Sequence, residues 1–216
     1  MSILLAVLLF ICLWGIKFPG FNEEYLSKTQ TTAIKGIFTA LIFCSHIRGY
    51  LQLPDCLLNN LYSIFLDYLG QLIVAAFFLY SGFGIWLSWK NKPGYVRTFF
   101  RRRVLKVLIH FDIAVALYIL VQLFIPIRYS IKQYLLCWIG WESVGNSSWF
   151  IFVILSLYLA ALAGLLFEKK IGKGGIALTT ALSATIWVIL HCVAQKPSWW
   201  VNTIIAFPLG MIVAEF

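Results

Sequence analysis

Seven stretches of mostly apolar residues run along the chain and are separated by shorter polar connections. A helix needs about 20 mostly apolar residues to cross the hydrocarbon core of a membrane. The stretches predict seven spanning helices, of which the first and last are short, at residues 2–18, 32–50, 64–89, 104–127, 148–167, 175–193 and 199–214. The longest connections have about 20 residues, which leaves no room for a soluble domain. We therefore expect an all-α, polytopic transmembrane helix bundle that forms a single domain over residues 1–216.

The composition agrees with a membrane protein and excludes other classes. Apolar residues make up 62% of the chain and charged residues 12%, and the mean hydropathy is +0.90. A soluble domain carries about a quarter charged residues, so a soluble globular protein, a disordered chain and a disulfide scaffold are excluded. The five cysteines include no C-x-x-C pair, so neither a zinc site nor a redox motif is supported and no metal is expected.

The excess of cations collects on one side of the predicted membrane. The net charge of +9 would indicate nucleic acid in a soluble protein. Here residues 90–106 contain seven basic residues and no acid, and the positive-inside rule places that segment in the cytoplasm. Alternation of the spans then puts 13 of the 17 cations inside and the N-terminus outside. The charge therefore indicates a membrane topology, with membrane lipids rather than nucleic acid as partners.

The second predicted span carries two ionisable residues that face the same way. Eleven residues, almost three helical turns, separate Lys35 from His46, which places them about 16 Å apart along one face. One groove could hold an anionic group at Lys35, near the cytoplasm, and a reacting group at His46, whose neutral imidazole is suited to act as a general base. Taken alone, Lys35 fits a snorkelling flank residue better than a ligand. For His46, a structural histidine bonded to a backbone carbonyl is as good an interpretation as a general base.

A basic run at the cytoplasmic entry to the fourth span is the second candidate. Arg103, Lys106 and His110 would form one stripe on an α-helix, and clustered arginines suit phosphate groups. The run comprises Arg101, Arg102, Arg103 and Lys106. A topology determinant or a contact to anionic lipid is the competing interpretation. Asp112 lies on another face, where an internal ion pair is the simpler interpretation.

Two further motifs carry small or polar residues in apolar surroundings. Residues 77–84 include Ser81, Gly82 and Gly84, which allow close helix packing. In residues 199–210, Pro208 and Gly210 predict a kinked helix, and Asn202 offers a polar group near the outer face.

Together these features resemble the acyltransferase 3 family of integral-membrane acyltransferases. The family's signature is a basic residue, ten residues and a histidine, which corresponds to Lys35 and His46. Four other motifs resemble the family in order and spacing from about Tyr25 onward, namely Phe77–Gly84, Arg101–Arg103, Trp149…Tyr158 and Asn202…Gly210. No single motif is very specific, but their order is.

The resemblance implies an activity and roles for the site residues. It implies transfer of an acyl group, usually acetyl, from cytoplasmic acyl-CoA to a hydroxyl of an exported cell-envelope saccharide or a lipid-linked acceptor, at the bacterial inner membrane. His46 would be catalytic, Trp149 and Asn202 would bind the acceptor, and acetyl-CoA would be the acyl donor. Its phosphates would be held by Lys35, Arg101, Arg102, Arg103 and Lys106.

The chain departs from the family pattern in two respects. Ile154 stands where the branch that acts on O-antigens often has a glutamate, so a role for that acid does not carry over. The family usually has about ten spans, and the chain ends just after its seventh without a basic flank, so we expect a longer protein. A membrane sensor or substrate-supply domain of a racemase-like fusion and a secondary transporter with His46 and Asp112 as a proton relay remain as alternatives.

Overall fold

The computed structural model describes residues 2–14, 24, 26–50, 52 and 54–216. Within these ranges the chain is helical and contains no strand. It divides into two compact units, Met1–Phe77 and Phe78–Phe216. The all-α class predicted from the sequence is thus confirmed, and the single domain stays a prediction.

The first unit contains α1 (Ser2–Leu13), α2 (Lys28–Arg48) and the first part of α3 (Leu57–Asn91). Helix α2 begins where the Ser27 hydroxyl accepts a hydrogen bond from the Gln30 amide at 3.3 Å, which satisfies one of the free donors of the first turn. Its buried residues pack on α3 to form the core of the unit. The core residues are Leu41, Cys44, Tyr62, Leu66 and Ile73.

The second unit contains the rest of α3 and six further helices. They are α4 (Tyr95–Phe99), α5 (Lys106–Val121), α6 (Ile131–Leu136), α7 (Trp149–Ile171), α8 (Gly175–Val188) and α9 (Ala206–Val213). The second unit also contains two π-helical segments, Phe100–Leu105 between α4 and α5 and Ile189–Val193 after α8. Helices α7 and α8 form a hairpin that turns at Gly172 and Gly174, both with positive φ.

Four helical stretches in the described part of the chain are long and apolar enough to cross a membrane. They are Leu57–Asn91, Tyr95–Phe124, Trp149–Ile171 and Gly175–Val193, and they cover the third to sixth predicted spans. Helix α2 has 21 residues, but its polar residues keep it below the apolarity of the other four. The first predicted span reaches residues 15–18, which lie outside the described residues. Seven spans are therefore not confirmed.

The predicted helix at residues 199–214 is not continuous, which corrects the sequence interpretation. A 3-10 turn, Ser198–Trp200, is followed by further turns, and the α-helix begins only at Ala206. Pro208 thus lies in the first turn of α9, where its missing amide hydrogen costs no helical hydrogen bond. Proline sets the start of this helix rather than a kink in its middle.

Helices α3 and α9 cross at two glycines of the second unit. A Cβ added to Gly82 would clash with the Phe207 carbonyl group, and a Cβ added to Gly210 would clash with the Leu79 carbonyl group. A Cβ added to Gly84 would meet nothing within 4 Å. The close packing predicted for residues 77–84 is therefore confirmed at Gly82, and Gly84 plays no part in it.

Candidate active site

Helix α2 has one face packed on α3 and one exposed face. Ile37, Leu41, Cys44 and Arg48 follow the helical repeat and are buried or half-buried. The exposed face of α2 follows the same repeat on the other side. It consists of Thr32, Gly36, Thr39, Phe43 and His46. A ligand could reach this face without displacing the core of the unit.

Lys35 and His46 occupy one uninterrupted α-helix, as the proposed groove requires. Lys35 is half-buried beside the exposed face, and His46 is exposed in the last turn of the helix. Between them the face carries Gly36, Thr39, whose hydroxyl donates to the Lys35 carbonyl oxygen at 2.8 Å, and the exposed ring of Phe43. Their roles in binding and catalysis stay predictions.

Three side chains around the His46 turn were not selected from the sequence. The residue pattern suggested no role in the site for Arg48, Asp67 or Tyr62. The structure joins Arg48 and Asp67 in a salt bridge of 2.6 Å, and the Tyr62 hydroxyl donates to the Cys44 carbonyl oxygen at 2.7 Å. The available signal was an arginine two residues after the histidine together with an isolated acid near the start of the next predicted span.

The basic run lies on a π-helical turn rather than an α-helical one. The amide of Lys106 bonds to the carbonyl oxygen of Arg101, five residues back, so side chains near this turn do not follow the α-helical repeat. The prediction that Arg103, Lys106 and His110 form one stripe required an α-helix across residues 103–105. These residues are π-helical, so this premise of the prediction was wrong. π-Helical turns are frequently found at functional sites.

The cations of this segment fall into two sets. Lys90 pairs with Glu215 (Nζ–Oε2 3.0 Å), and Arg103 donates from Nε to the Tyr95 hydroxyl at 3.1 Å. Hydrogen bonds from the Trp86 indole and from Lys90 lower the pKa of the Glu215 carboxyl. The remaining cations at the π-turn are exposed, and none pairs with a carboxylate of the described chain. They are Arg101, Arg102 and Lys106.

His110 and Asp112 differ in how their polar atoms are satisfied. The His110 ring nitrogen Nδ1 lies 2.6 Å from the Lys106 carbonyl oxygen, so this histidine is bonded to its own helix. The buried Oδ1 of Asp112 has no hydrogen-bond partner in the described part of the chain. The ion pair expected for Asp112 is absent from the described residues.

The second unit also holds the two predicted acceptor-binding residues, at different places. Trp149 is the first residue of α7, is half-buried, and sets its ring edge-on to Phe150 with centroids 6.2 Å apart. Asn202 is exposed and lines a largely apolar cavity of about 240 Å³ with Ser183 and Trp187 of α8. Trp149 does not line this cavity.

The buried core of α7 explains the departure at position 154. Ile154 is 3% exposed, and Tyr158, one turn further on, packs between the rings of Phe99 and Phe207. A glutamate at position 154 would be buried as Ile154 is. The role of that acid in the O-antigen branch has no counterpart at this position.

Comparison with known proteins gives one match. A family model described as an acyltransferase domain matches residues 30–216, so the match begins in the first turn of α2 and includes Lys35 and His46. Searches of curated proteins and of solved structures found no match.

Proposed function

The chain belongs to the acyltransferase 3 family, and from this premise we propose that it transfers an acetyl group from cytoplasmic acyl-CoA to a hydroxyl of an exported envelope saccharide or lipid-linked acceptor. Family membership together with four helices able to span a bilayer makes it an integral membrane acyltransferase. The donor, the acceptor and a location in the bacterial inner membrane are parts of the proposal.

The observation that carries the proposal is the exposed face of α2. Lys35 and His46 lie about 16 Å apart along one continuous helix, with Gly36, Thr39 and the exposed ring of Phe43 between them on that face. An extended acyl-pantetheine arm can run along such a surface, with its phosphates near Lys35 and its thioester near His46. Arg101, Arg102 and Lys106 are exposed cations of the second unit, and clustered cations of this kind suit phosphate groups.

In the proposed reaction His46 accepts one proton and later returns it. Its neutral imidazole accepts the proton of the acceptor hydroxyl while the hydroxyl oxygen attacks the thioester carbonyl carbon. The C–S bond breaks, and the imidazolium returns the proton to the CoA sulfur. In the alternative route the imidazole itself attacks the thioester carbonyl carbon, the C–S bond breaks and CoA leaves as its thiolate. The acceptor hydroxyl then takes the acetyl group from the imidazole, and its proton neutralises the thiolate.

A radiolabel experiment tests the proposal and separates these routes. Membranes that contain the full-length protein are given acetyl-CoA labelled in the acetyl group, and label is followed in envelope saccharide and in the protein. We expect label in the saccharide. Label that accumulates on His46 when acceptor is withheld supports the acyl-histidine route, and absence of any transfer contradicts the proposed function.

Replacing Lys35 tests the donor end of the groove. We expect Lys35→Ala to raise the KM for acetyl-CoA by about 10-fold, which corresponds to loss of one charge-assisted contact to phosphate. The kcat should change little because Lys35 lies three helical turns from the reacting atoms. Initial rates over a range of acetyl-CoA concentrations give both constants, and an unchanged KM would contradict the groove.

Replacing two arginines tests the basic π-turn. In Arg101→Gln/Arg102→Gln we expect the KM for acetyl-CoA to rise by about 10-fold or more, and the dependence of KM on salt to weaken, because exposed charge–charge contacts are screened. The matched control is Lys169→Gln/Lys170→Gln, an equally exposed pair at the end of α7. Equal effects of the two pairs would show that general positive charge, not this turn, attracts the donor.

A secondary transporter is the second candidate, and one observation favours it. Asp112 lies in a helix able to span the membrane, and its buried Oδ1 has no hydrogen-bond partner among the described residues. Intramembrane carboxyl groups of this kind serve proton relays. The radiolabel experiment discriminates between the two functions, because a transporter would leave the acetyl label on CoA.

A further inference from the structure

The turn of α2 that carries His46 is fixed to α3 by an arginine. The Arg48 guanidinium places Nη2 at 2.6 Å from the Asp67 carboxylate, and Nη1 donates to the Ser63 carbonyl oxygen at 2.9 Å. Two bonds from one planar group to two different acceptors on α3 restrict both the distance and the rotation of the helix end. All four residues belong to the first unit.

A second contact lies one turn before Arg48. The Tyr62 hydroxyl donates to the Cys44 carbonyl oxygen at 2.7 Å, and the two side chains are only 2% and 3% exposed. Tyrosine buries a rigid ring and presents one donor, so this bond fixes the α2 backbone within the core. The last turn of α2 is therefore held on both sides of His46.

The helical repeat places these contacts behind the histidine. Cys44 and Arg48 are each two residues from His46, which corresponds to a rotation of about 200° around the helix axis. Both therefore lie on nearly the opposite side of α2 from the imidazole, as their burial and the exposure of His46 also indicate. Any rotation or shift of α2 on α3 would move the imidazole directly.

We propose that Arg48 and Asp67 are positioning residues that set the orientation of His46 for acyl transfer. This inference rests on the proposed function, in which His46 acts on the thioester and the acceptor hydroxyl. Neither side chain touches a reacting atom in this assignment; each acts through the α2 backbone. A displacement of about 1 Å at a catalytic group can reduce a rate by about 100-fold.

The exposure of the Arg48 and Asp67 side chains allows their role in orienting His46 to be tested separately from a contribution to folding. The Asp67 side chain is 62% exposed and that of Arg48 29%. Exposed salt bridges contribute little to stability because water solvates each partner when the other is removed. Loss of the pair should therefore leave the first unit folded and alter the catalytic step.

Kinetics of acetyl transfer by the full-length protein in membranes test the assignment. In Asp67→Asn and Arg48→Gln we expect kcat to fall by about 10-fold, with the KM for acetyl-CoA unchanged. Arg48→Lys keeps the charge and one contact and should recover most of the rate. The double variant Arg48→Gln/Asp67→Asn should be no slower than Arg48→Gln, because both residues act through one contact.

Asp55→Asn is the matched control. Asp55 lies in the same unit and accepts a hydrogen bond from the Asn60 amide at 3.0 Å, a contact that does not involve α2. It should leave kcat unchanged, and a loss equal to that of Asp67→Asn would overturn the assignment. Additive losses in the double variant, or a change in KM alone, would overturn it as well.

Wild-type protein and His46→Ala are measured in parallel to separate the two proposals. Transfer that requires His46 but is unchanged in Asp67→Asn overturns the positioning role alone. Absence of transfer in the wild type overturns the proposed function and, with it, the role of the pair. Transfer that depends on His46 and falls in both single variants supports both.

Discussion

His46→Ala should reduce acetyl transfer by about 10²- to 10⁴-fold, the range in which a general acid–base group contributes to a rate. A nucleophilic role for the same imidazole would give a loss at least as large. His46 lies in the last turn of α2 on its exposed face, so its removal leaves no cavity in the core of the first unit. The amount of protein in the membrane should therefore stay at the wild-type level.

The measurement is transfer of labelled acetyl to envelope saccharide, normalised to the amount of membrane-inserted protein. His191→Ala is the matched control, because His191 is also exposed but contacts the Trp187 ring in the second unit. We expect full activity from His191→Ala. Transfer by His46→Ala at the wild-type rate would remove the catalytic role, and loss in both variants would indicate a general sensitivity to histidine replacement.

The sequence predicted the helical class and the spacing of the candidate site because both depend on local repeats. Four long apolar stretches reappear as helices able to span a membrane, and Lys35 and His46 share a face because α2 is unbroken. The face that α2 buries follows the same repeat, with Leu41 and Cys44 in the core. These features need only the rise and rotation of an α-helix.

Contacts between helices could not be predicted from the sequence, because they depend on how two helices pack. Nothing in the spacing of Arg48 and Asp67, 19 residues apart, indicates that they form a salt bridge. The π-helical turn at Phe100–Leu105 is another example, since an arginine run is equally compatible with an α-helix. The late start of α9 follows from Pro208, whose position was noted but interpreted as a kink.

Several motifs that resemble the family consist of residues that pack against one another in the second unit. Phe78, in the segment that resembles a family motif, is fully buried and stacks on Phe150 with centroids 5.2 Å apart. Tyr158 and Phe207, from two later motifs, contact each other in the same unit. Much of the resemblance beyond α2 therefore corresponds to packing in the second unit, whereas the proposed chemistry rests on Lys35, His46 and the exposed cations of the π-turn.

The crossing of α3 and α9 predicts the largest effect on stability. Gly82→Ala should destabilise the second unit by about 1–3 kcal/mol, and Gly82→Val by more, because the added Cβ would clash with the Phe207 carbonyl group, which belongs to the backbone of the facing helix. The helices would have to separate, since a backbone carbonyl cannot move aside as a flexible side chain can. Thermal unfolding of the detergent-purified protein should show a lower midpoint for both variants.

Gly84→Ala is the matched control for this crossing, two residues further along the same helix. Its added Cβ meets nothing within 4 Å, so no clash opposes the gain of about 1 kcal/mol that alanine has over glycine inside a helix. We expect its midpoint to equal or exceed that of the wild type. Equal losses at Gly82 and Gly84 would contradict the crossing, because the two substitutions differ only in whether α9 lies against the new methyl group.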